Sequence, residues 1–345
     1  MEQIYTPKQD YKVLVRCFTY NHSKYIEDAL NGFAMQKTNF PFACLVMDDC
    51  STDGEQEVIK AWMERECDME KAEYIEIELS NIILAPHKSN TNCTLAFYFL
   101  KQNLYGTGNK KMKMVCPWRE HCEYEALCEG DDYWTDSTKL QKQYDFLETH
   151  KDYTLCFHKV KTKSEKGRKH HDYFDHLETR EYTVEEMLKR WTVPTGSMMI
   201  RKDMLDKFPT HPKFTYGDNV MVLTCLQYGK MFCFGAYMGV YRLSESGWTG
   251  QSIVFNCQRQ ISHIEGLIEV FDSCKNDIMV NNLKNEYCKM YYHLFSQFSF
   301  QECISVKTEL KEKFGEMDLF GLNVRAVLYS FKYYVKIILK KVGII

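Results

Sequence analysis

The chain has 345 residues, 45% of them hydrophobic and 14% aromatic, with a net charge of −3 and 15 cysteines. Such a length fits one large α/β core with an appended C-terminal piece, and the near-neutral charge argues against any general affinity for nucleic acid. No two cysteines form a CxxC pair, which speaks against zinc ribbons and thioredoxin-like sites and suits free thiols in a reducing cytosol. The N-terminus, MEQIYTPKQDYK, lacks the apolar stretch of a signal peptide. No run reaches 18 apolar residues, so the expectation is a cytoplasmic protein without an ordinary transmembrane helix.

In chain order, YKVLVRCFTYN (11–21) reads as a buried strand ending in polar residues. SKYIEDALNGFAMQK (23–37) places Ile26, Ala29, Leu30 and Phe33 at helical spacing, with Ser23 as the expected cap. PFACLVMDDCSTDG (41–54) is a second strand in which Asp48 and Asp49 directly follow Met47; the helix EQEVIKAWMERE comes next, capped by Ser51 or Asp53. AEYIEIELS alternates as a strand, and CTLAFYFLKQNL (93–104) is predicted to be a helix. YEALCEGDDYW is a strand with acids at its carboxyl end, and STKLQKQYDFLETH a helix capped by Ser137. Beyond 150 the pattern loosens. YTLCFHKV is a strand, 161–176 a charged connector, and TVEEMLKRW and RKDMLDKF short helices around TVPTGSMMI. GDNVMVLTCLQYG (217–229) is a helix, KMFCFGAYMGVYRLS one or two strands, and the chain from about 255 turns helical.

Strands alternating with helices predict a parallel or mostly parallel sheet, and ligands of such sheets sit beyond the carboxyl ends of the strands. Three of those ends are polar: Thr19–Asn21, Asp48–Asp49 and Glu129–Asp132. They are expected to converge on one crevice. Carboxylates as close as Glu129, Asp131 and Asp132 repel unless a cation binds them or one stays protonated. Oxygen ligands at a strand end suit Mg²⁺ or Mn²⁺.

Other readings fit less well. Asp49, Ser51, Asp53 and Gly54 match the start of a Ca²⁺ loop, but its twelfth position is Lys60 where a bidentate Glu is needed. There is no GxxxxGK[ST], and YGTGNKK (105–111) reads as a loop. His170, His171 and His176 lie in the hydrophilic connector, and the six-residue spacing of Cys116, Cys122 and Cys128 is no metal spacing.

VRCFTYNHSKYIEDAL, CLVMDDCSTDG and ALCEGDDYWTDSTKLQKQYDFLE together resemble successive signatures of the family-2 glycosyltransferases, particularly bacterial members that build surface polysaccharides. The similarity spans roughly residues 11–245. It implies a GT-A fold, Rossmann-like, with a mostly parallel central sheet flanked by helices over residues 1–250; the helical C-terminal region, 251–345, is read from the sequence pattern alone. It also implies inverting transfer from a nucleotide diphosphate sugar (UDP by default) to a glycan or lipid-linked glycan, aided by Mn²⁺ or Mg²⁺.

Carried onto this sequence, the resemblance places Thr19, Tyr20 and Asn21 in the nucleotide pocket, although Thr19 stands where Pro or Val is frequent. It assigns Asp48, Asp49 and Ser51 to the donor, with Asp49 contacting the base. It gives Asp132 as direct metal ligand with Asp131 beside it, Asp218 as general base, and Arg242 as a phosphate partner. PTGSMMIR (194–201) should shape the sugar and acceptor side. Ser244 occupies a position where His is often found, which leaves a third protein ligand open. Two other classes stay in view: a non-catalytic nucleotide-sugar or metal-binding module, and a nucleotidyltransferase, whose Gly-rich basic N-terminal loop is not found here. In residues 324–345, Arg325, Lys332, Lys336 and Lys340 fall within roughly 80° of a helical wheel among mostly apolar neighbours. That pattern suits the inner face of an anionic membrane, or a helix packed on the domain with a solvated basic stripe.

Overall fold

The computed structural model describes residues 4–108, 110–164, 172–243, 252–294, 305 and 308–313. The first half runs β1 (Tyr11–Thr19), α1 (Ile26–Ala34), β2 (Phe42–Asp48), α2 (Glu55–Glu66), β3 (Glu73–Glu76), β4 (Ser80–Pro86) and β5 (Cys93–Leu100). Then come α3 (Lys110–Glu120), β6 (Cys122–Leu127), β7 (Tyr133–Trp134), α4 (Lys139–Thr149) and β8 (Tyr153–Ser164). The remainder is β9 (Arg180–Tyr182), α5 (Val184–Lys189), β10 (Met199–Arg201), α6 (Lys202–Leu205), α7 (Gly217–Tyr228), β11 (Lys230–Leu243), α8 (Ile253–Val270) and α9 (Asp277–Leu294).

The strands form one mixed sheet in the order β3-β4-β5-β2-β1-β6-β10-β8-β11-β7, with β9 on β11. Its centre, β5-β2-β1-β6, is parallel. β2 is buried along its whole length, as a central parallel strand covered on both faces must be. Antiparallel partners close both flanks: β3 and β4 beyond β5, and β10 beyond β6. This is the α/β, helix-flanked sheet that the sequence predicts.

Several local expectations change. CTLAFYFL is strand β5, not a helix. It lies between β2 and β4 with nearly every residue buried, and a continuously apolar strand offers helical spacing by chance. Ser23 does not cap α1: the N-cap is Tyr25 without a side-chain bond, and the Ser23 amide donates to Asp53 Oδ2 (2.9 Å). Ser137 does not cap α4 either, whose N-cap is Thr138. α2 starts at a left-handed Gly54 (φ 89°), with Asp53 Oδ1 accepting from Glu55 N (3.1 Å). Residues 161–164 of the expected connector belong to β8.

Contacts divide the chain into two compact units, residues 1–208 with 221–245, and 209–220 with 246–345. In the first, a core of Val13, Val15, Phe42, Val46, Leu95 and Phe97 with Leu30 and Phe33 locks β1, β2 and β5 under α1. In the second, Lys213 binds Glu265 (3.3 Å) and Glu269 (2.6 Å), fixing the 209–216 segment to α8. Among the described residues no helix is long and apolar enough to cross a membrane.

Candidate active site

Parallel strands that start together end together. Thr19 pairs in register with Asp48, and Arg16 with Leu127, so β1, β2 and β6 finish on one edge. The three polar ends are then joined by backbone bonds: Asp49 N to Thr19 O (2.9 Å) and Gly130 N to Phe18 O (3.2 Å).

Glu55 is the hub beneath them. It is fully buried at the start of α2 and takes a short hydrogen bond from the Thr19 hydroxyl. Its Oε2 accepts from the His22 amide and from Ser51 Oγ, both at 2.8 Å. Burial pushes its carboxyl above the ordinary range in spite of those donors. Asn21 adopts φ 57°, a conformation Asn tolerates better than most residues. Its amide donates to Ser51 Oγ (2.9 Å) and its Oδ1 accepts from Thr52 N (2.8 Å). Tyr20 between them is exposed.

Asp48 at the end of β2 and Asp49 just after it are both buried. Asp49 Oδ1 accepts from Leu104 N and Oδ2 from Lys111 Nζ, each at 2.7 Å, so its oxygens already organise the segment between β5 and α3. Lys111 is the partly exposed member of that pair. Asp48 Oδ2 accepts from Ser51 N (3.2 Å) and Gln56 Nε2 (2.5 Å), while its buried Oδ1 has no partner.

The acid loop after β6 divides its labour. Asp132 turns inward, 5% exposed, and its Oδ1 accepts from the Arg242 amide (2.7 Å). Burial, reinforced by neighbouring Asp131, raises its carboxyl well above the usual range. Gly196 of the 194–201 segment lies against its Oδ2, so that segment packs behind the loop. With Asp132 Oδ1 taken by the Arg242 amide and the side chain turned inward, Asp131 is the more open of the two carboxylates. Asp131 faces outward with its Oδ2 3.9 Å from His22 Nε2. Gly130 has no alternative: a Cβ there would stand 2.0 Å from Thr19 Oγ1 and 2.6 Å from Thr19 Cβ.

Arg242 is buried and committed. Its Nη1 donates to the Asp131 carbonyl (2.7 Å), its Nη2 pairs closely with Asp28, and the guanidinium covers Tyr133 (4.4 Å) and Tyr25 (4.9 Å). It therefore braces the acid loop. Asp218 is the second residue of α7, in the unit formed by 209–220 and 246–345, with Oδ1 accepting from Asn219 N (2.9 Å). Ser244 and residues 324–345 lie outside the described residues.

Among the described residues no three His, Cys, Asp or Glu side chains converge as a closed metal site. Outward Asp131 beside His22 fits a divalent ion that takes its remaining ligands from substrate oxygens and water. A cleft of about 550 Å³ opens elsewhere, at the amino ends of β1 and β6. Two ion pairs lie in its lining, Asp10 with His121 (2.7 Å) and Lys202 with Glu120 (3.3 Å), and it holds none of the strand-end acids. Sequence reasoning missed Glu55, His22 and Lys111. Only the YNH adjacency of His22 to Asn21 and the four-residue step from Ser51 to Glu55 hinted at the first two.

The fold is that of the GT-A glycosyltransferases. It resembles TarS of S. aureus, solved with UDP-GlcNAc, at 17% identity and TM-score 0.51, covering 88% of this chain and 77% of that one. It also resembles the mannosyltransferase PcManGT of Pyrobaculum calidifontis, solved with GDP-Man and Mn²⁺, at 13% identity and TM-score 0.52, covering 97% and 90%. Residues 17–78 match the model of glycosyl transferase family 2. Uncharacterized protein Rv1520 of Mycobacterium tuberculosis is 33% identical over 184 residues, 53% of this chain. The match spans 45% of that relative, so the chain aligns with less than half of its length. In its strand-end sequence and in its fold, the chain resembles the family-2 glycosyltransferases.

Proposed function

We propose that the chain transfers a sugar, with inversion, from a nucleotide diphosphate sugar to the hydroxyl of a glycan or lipid-linked glycan. The setting is assembly of a bacterial surface polysaccharide (capsule, O-antigen or exopolysaccharide) on the cytoplasmic side of the membrane. One observation carries this reading: a single hydrogen-bond network ties the ends of β1, β2 and β6 together and leaves Asp131 facing outward. The nucleotide sugars bound to the two solved relatives support a donor of that class. The base and ribose side of the pocket is assigned to Tyr20, Asn21, Ser51 and Lys111, and the diphosphate side to Asp131.

Transfer passes through an oxocarbenium-like state while charge grows on the departing diphosphate. A divalent ion, Mn²⁺ or Mg²⁺, supplies neutralisation of that charge when bound. Asp131 would hold the ion, while Arg242, bonded to Asp132 and to the Asp131 carbonyl, braces the loop that carries it. Asp218 is assigned the acceptor's proton, because the near-axial displacement needs a base on the acceptor side. A panel of UDP-, GDP- and dTDP-sugars with Mn²⁺, read as release of nucleoside diphosphate with a glycan-lipid acceptor, tests the reading. Turnover of none of them rejects it in favour of a non-catalytic module.

A further inference from the structure

Beside Asp131 stands a side chain that no part of the mechanism has used. The Thr19 hydroxyl owns one hydrogen and donates it to Glu55. Toward His22 it therefore offers only a lone pair, and Nδ1, 3.1 Å away, must be the donor of that contact. The hydrogen-bond network thus assigns the neutral imidazole its hydrogen on Nδ1 and its lone pair on Nε2. That nitrogen faces Asp131 Oδ2 across 3.9 Å. Two electron-rich atoms, too far apart to share a hydrogen, face each other across a gap.

The gap has the dimensions of an ion. Donors each about 2.1 Å from a common cation lie about 3.0 Å apart at a right angle and about 4.2 Å apart when opposite. The observed separation falls between these limits. The ring is also held: the His22 amide donates to Glu55 Oε2 (2.8 Å), and Gly130 packs where a Cβ would come within 3.1 Å of Nδ1. A carboxylate that fixes a histidine from behind is the usual outer support of a metal-binding imidazole, here relayed through a threonine. Both donors keep about a quarter of their side-chain surface open, so an ion can arrive with its diphosphate.

We infer that His22 Nε2 and Asp131 Oδ2 are the two protein donors to the divalent cation that accompanies the donor diphosphate. This rests on the nucleotide-sugar reading above and adds a nitrogen ligand from the end of β1. Pulsed electron paramagnetic resonance of the full chain with Mn²⁺ and UDP, and in parallel GDP, tests it. Histidine labelled with ¹⁵N separates ring nitrogen from the base. Expected is a nitrogen coupling that changes from ¹⁴N to ¹⁵N with the label, vanishes in His22→Gln, and is accompanied by Mn²⁺ affinity falling about tenfold or more. Nucleotide-dependent Mn²⁺ binding without that coupling in the wild-type chain overturns the role of His22 and leaves the donor site standing. No nucleotide-dependent Mn²⁺ binding with either nucleotide overturns both.

Discussion

Asp131 and Asp132 are neighbours with opposite surroundings, and substitution separates them. Asp131→Asn removes the outward charge, so metal-dependent nucleotide binding should weaken about tenfold or more while the melting temperature hardly moves. Asp132→Asn keeps an oxygen for the Arg242 amide and imitates the protonated acid. It should bind nucleotide within a few-fold of wild type. A carboxyl raised on folding destabilises the fold as pH climbs through its folded pKa, so Asp132→Asn should also be the more stable protein at neutral pH. Calorimetry with Mn²⁺ and UDP or GDP, plus melting curves, checks both; a stronger binding defect in Asp132→Asn restores it as the ligand. Gly130→Ala should cost about 1–3 kcal/mol through collision with Thr19, read from denaturant unfolding. At this scale the sequence showed which positions are polar but not which way they point. The inward turn of Asp132 depends on an amide 110 residues away, at Arg242. Glu55 looked like any first-turn acid of a helix.

At the scale of elements, α4 carries a buried lysine whose amine makes no hydrogen bond. Lys139 is fully buried, its Nζ lacks a hydrogen-bond partner, and it sits 3.7 Å above the Trp134 ring. Burial holds its amine down to about 7. Between pH 7 and about 10 the unfolded chain binds a proton that the folded chain does not, so stability should rise with pH across that window. Lys139→Met should flatten that rise and add about 1 kcal/mol or more at pH 7, measured as melting temperature against pH. Equal slopes for both proteins would show that Lys139 finds its proton in the fold. His158 lies in the same neighbourhood, held to about 3 by burial, so its contribution is lost as pH falls below about 6.5. Element type was legible where periodicity was clean, as in α1 and α2, and illegible in β5, where burial on both faces erases the alternation that marks a strand. The expected caps Ser23 and Ser137 are displaced, the first by two residues to Tyr25, with the Ser23 amide bound to Asp53, and the second by one to Thr138.

For the whole molecule, the alternation of strand and helix over the first 150 residues made the sheet and its polar edge legible, with β5 the exception. The division at 208 and 221 was not readable, because both segments look like ordinary connectors and helix. The function of Asp218 is tested without reference to that division. Asp218→Asn should leave nucleotide binding intact and lower transfer about 10²-fold, read as sugar incorporation. Near wild-type transfer would remove Asp218 from the mechanism. The basic stripe of 324–345 is proposed to dock on anionic lipid. Full-length protein should co-sediment with phosphatidylglycerol vesicles more than a chain ended after Leu322, and equal sedimentation rejects it.

The network around Glu55 also has a practical use. It gathers Thr19 and His22 from the end of β1 and Ser51 from the turn after β2, and Gly130 reaches the same edge from β6. A small molecule seated there staples three parts of the chain that otherwise part company on unfolding. At a hundred times its dissociation constant such a ligand adds about 2.7 kcal/mol, some 5–10 °C for a domain of this size. The protein is thus its own thermometer for substrate choice: ranking nucleotide sugars by the heat each lets the fold survive identifies the donor before any acceptor is known.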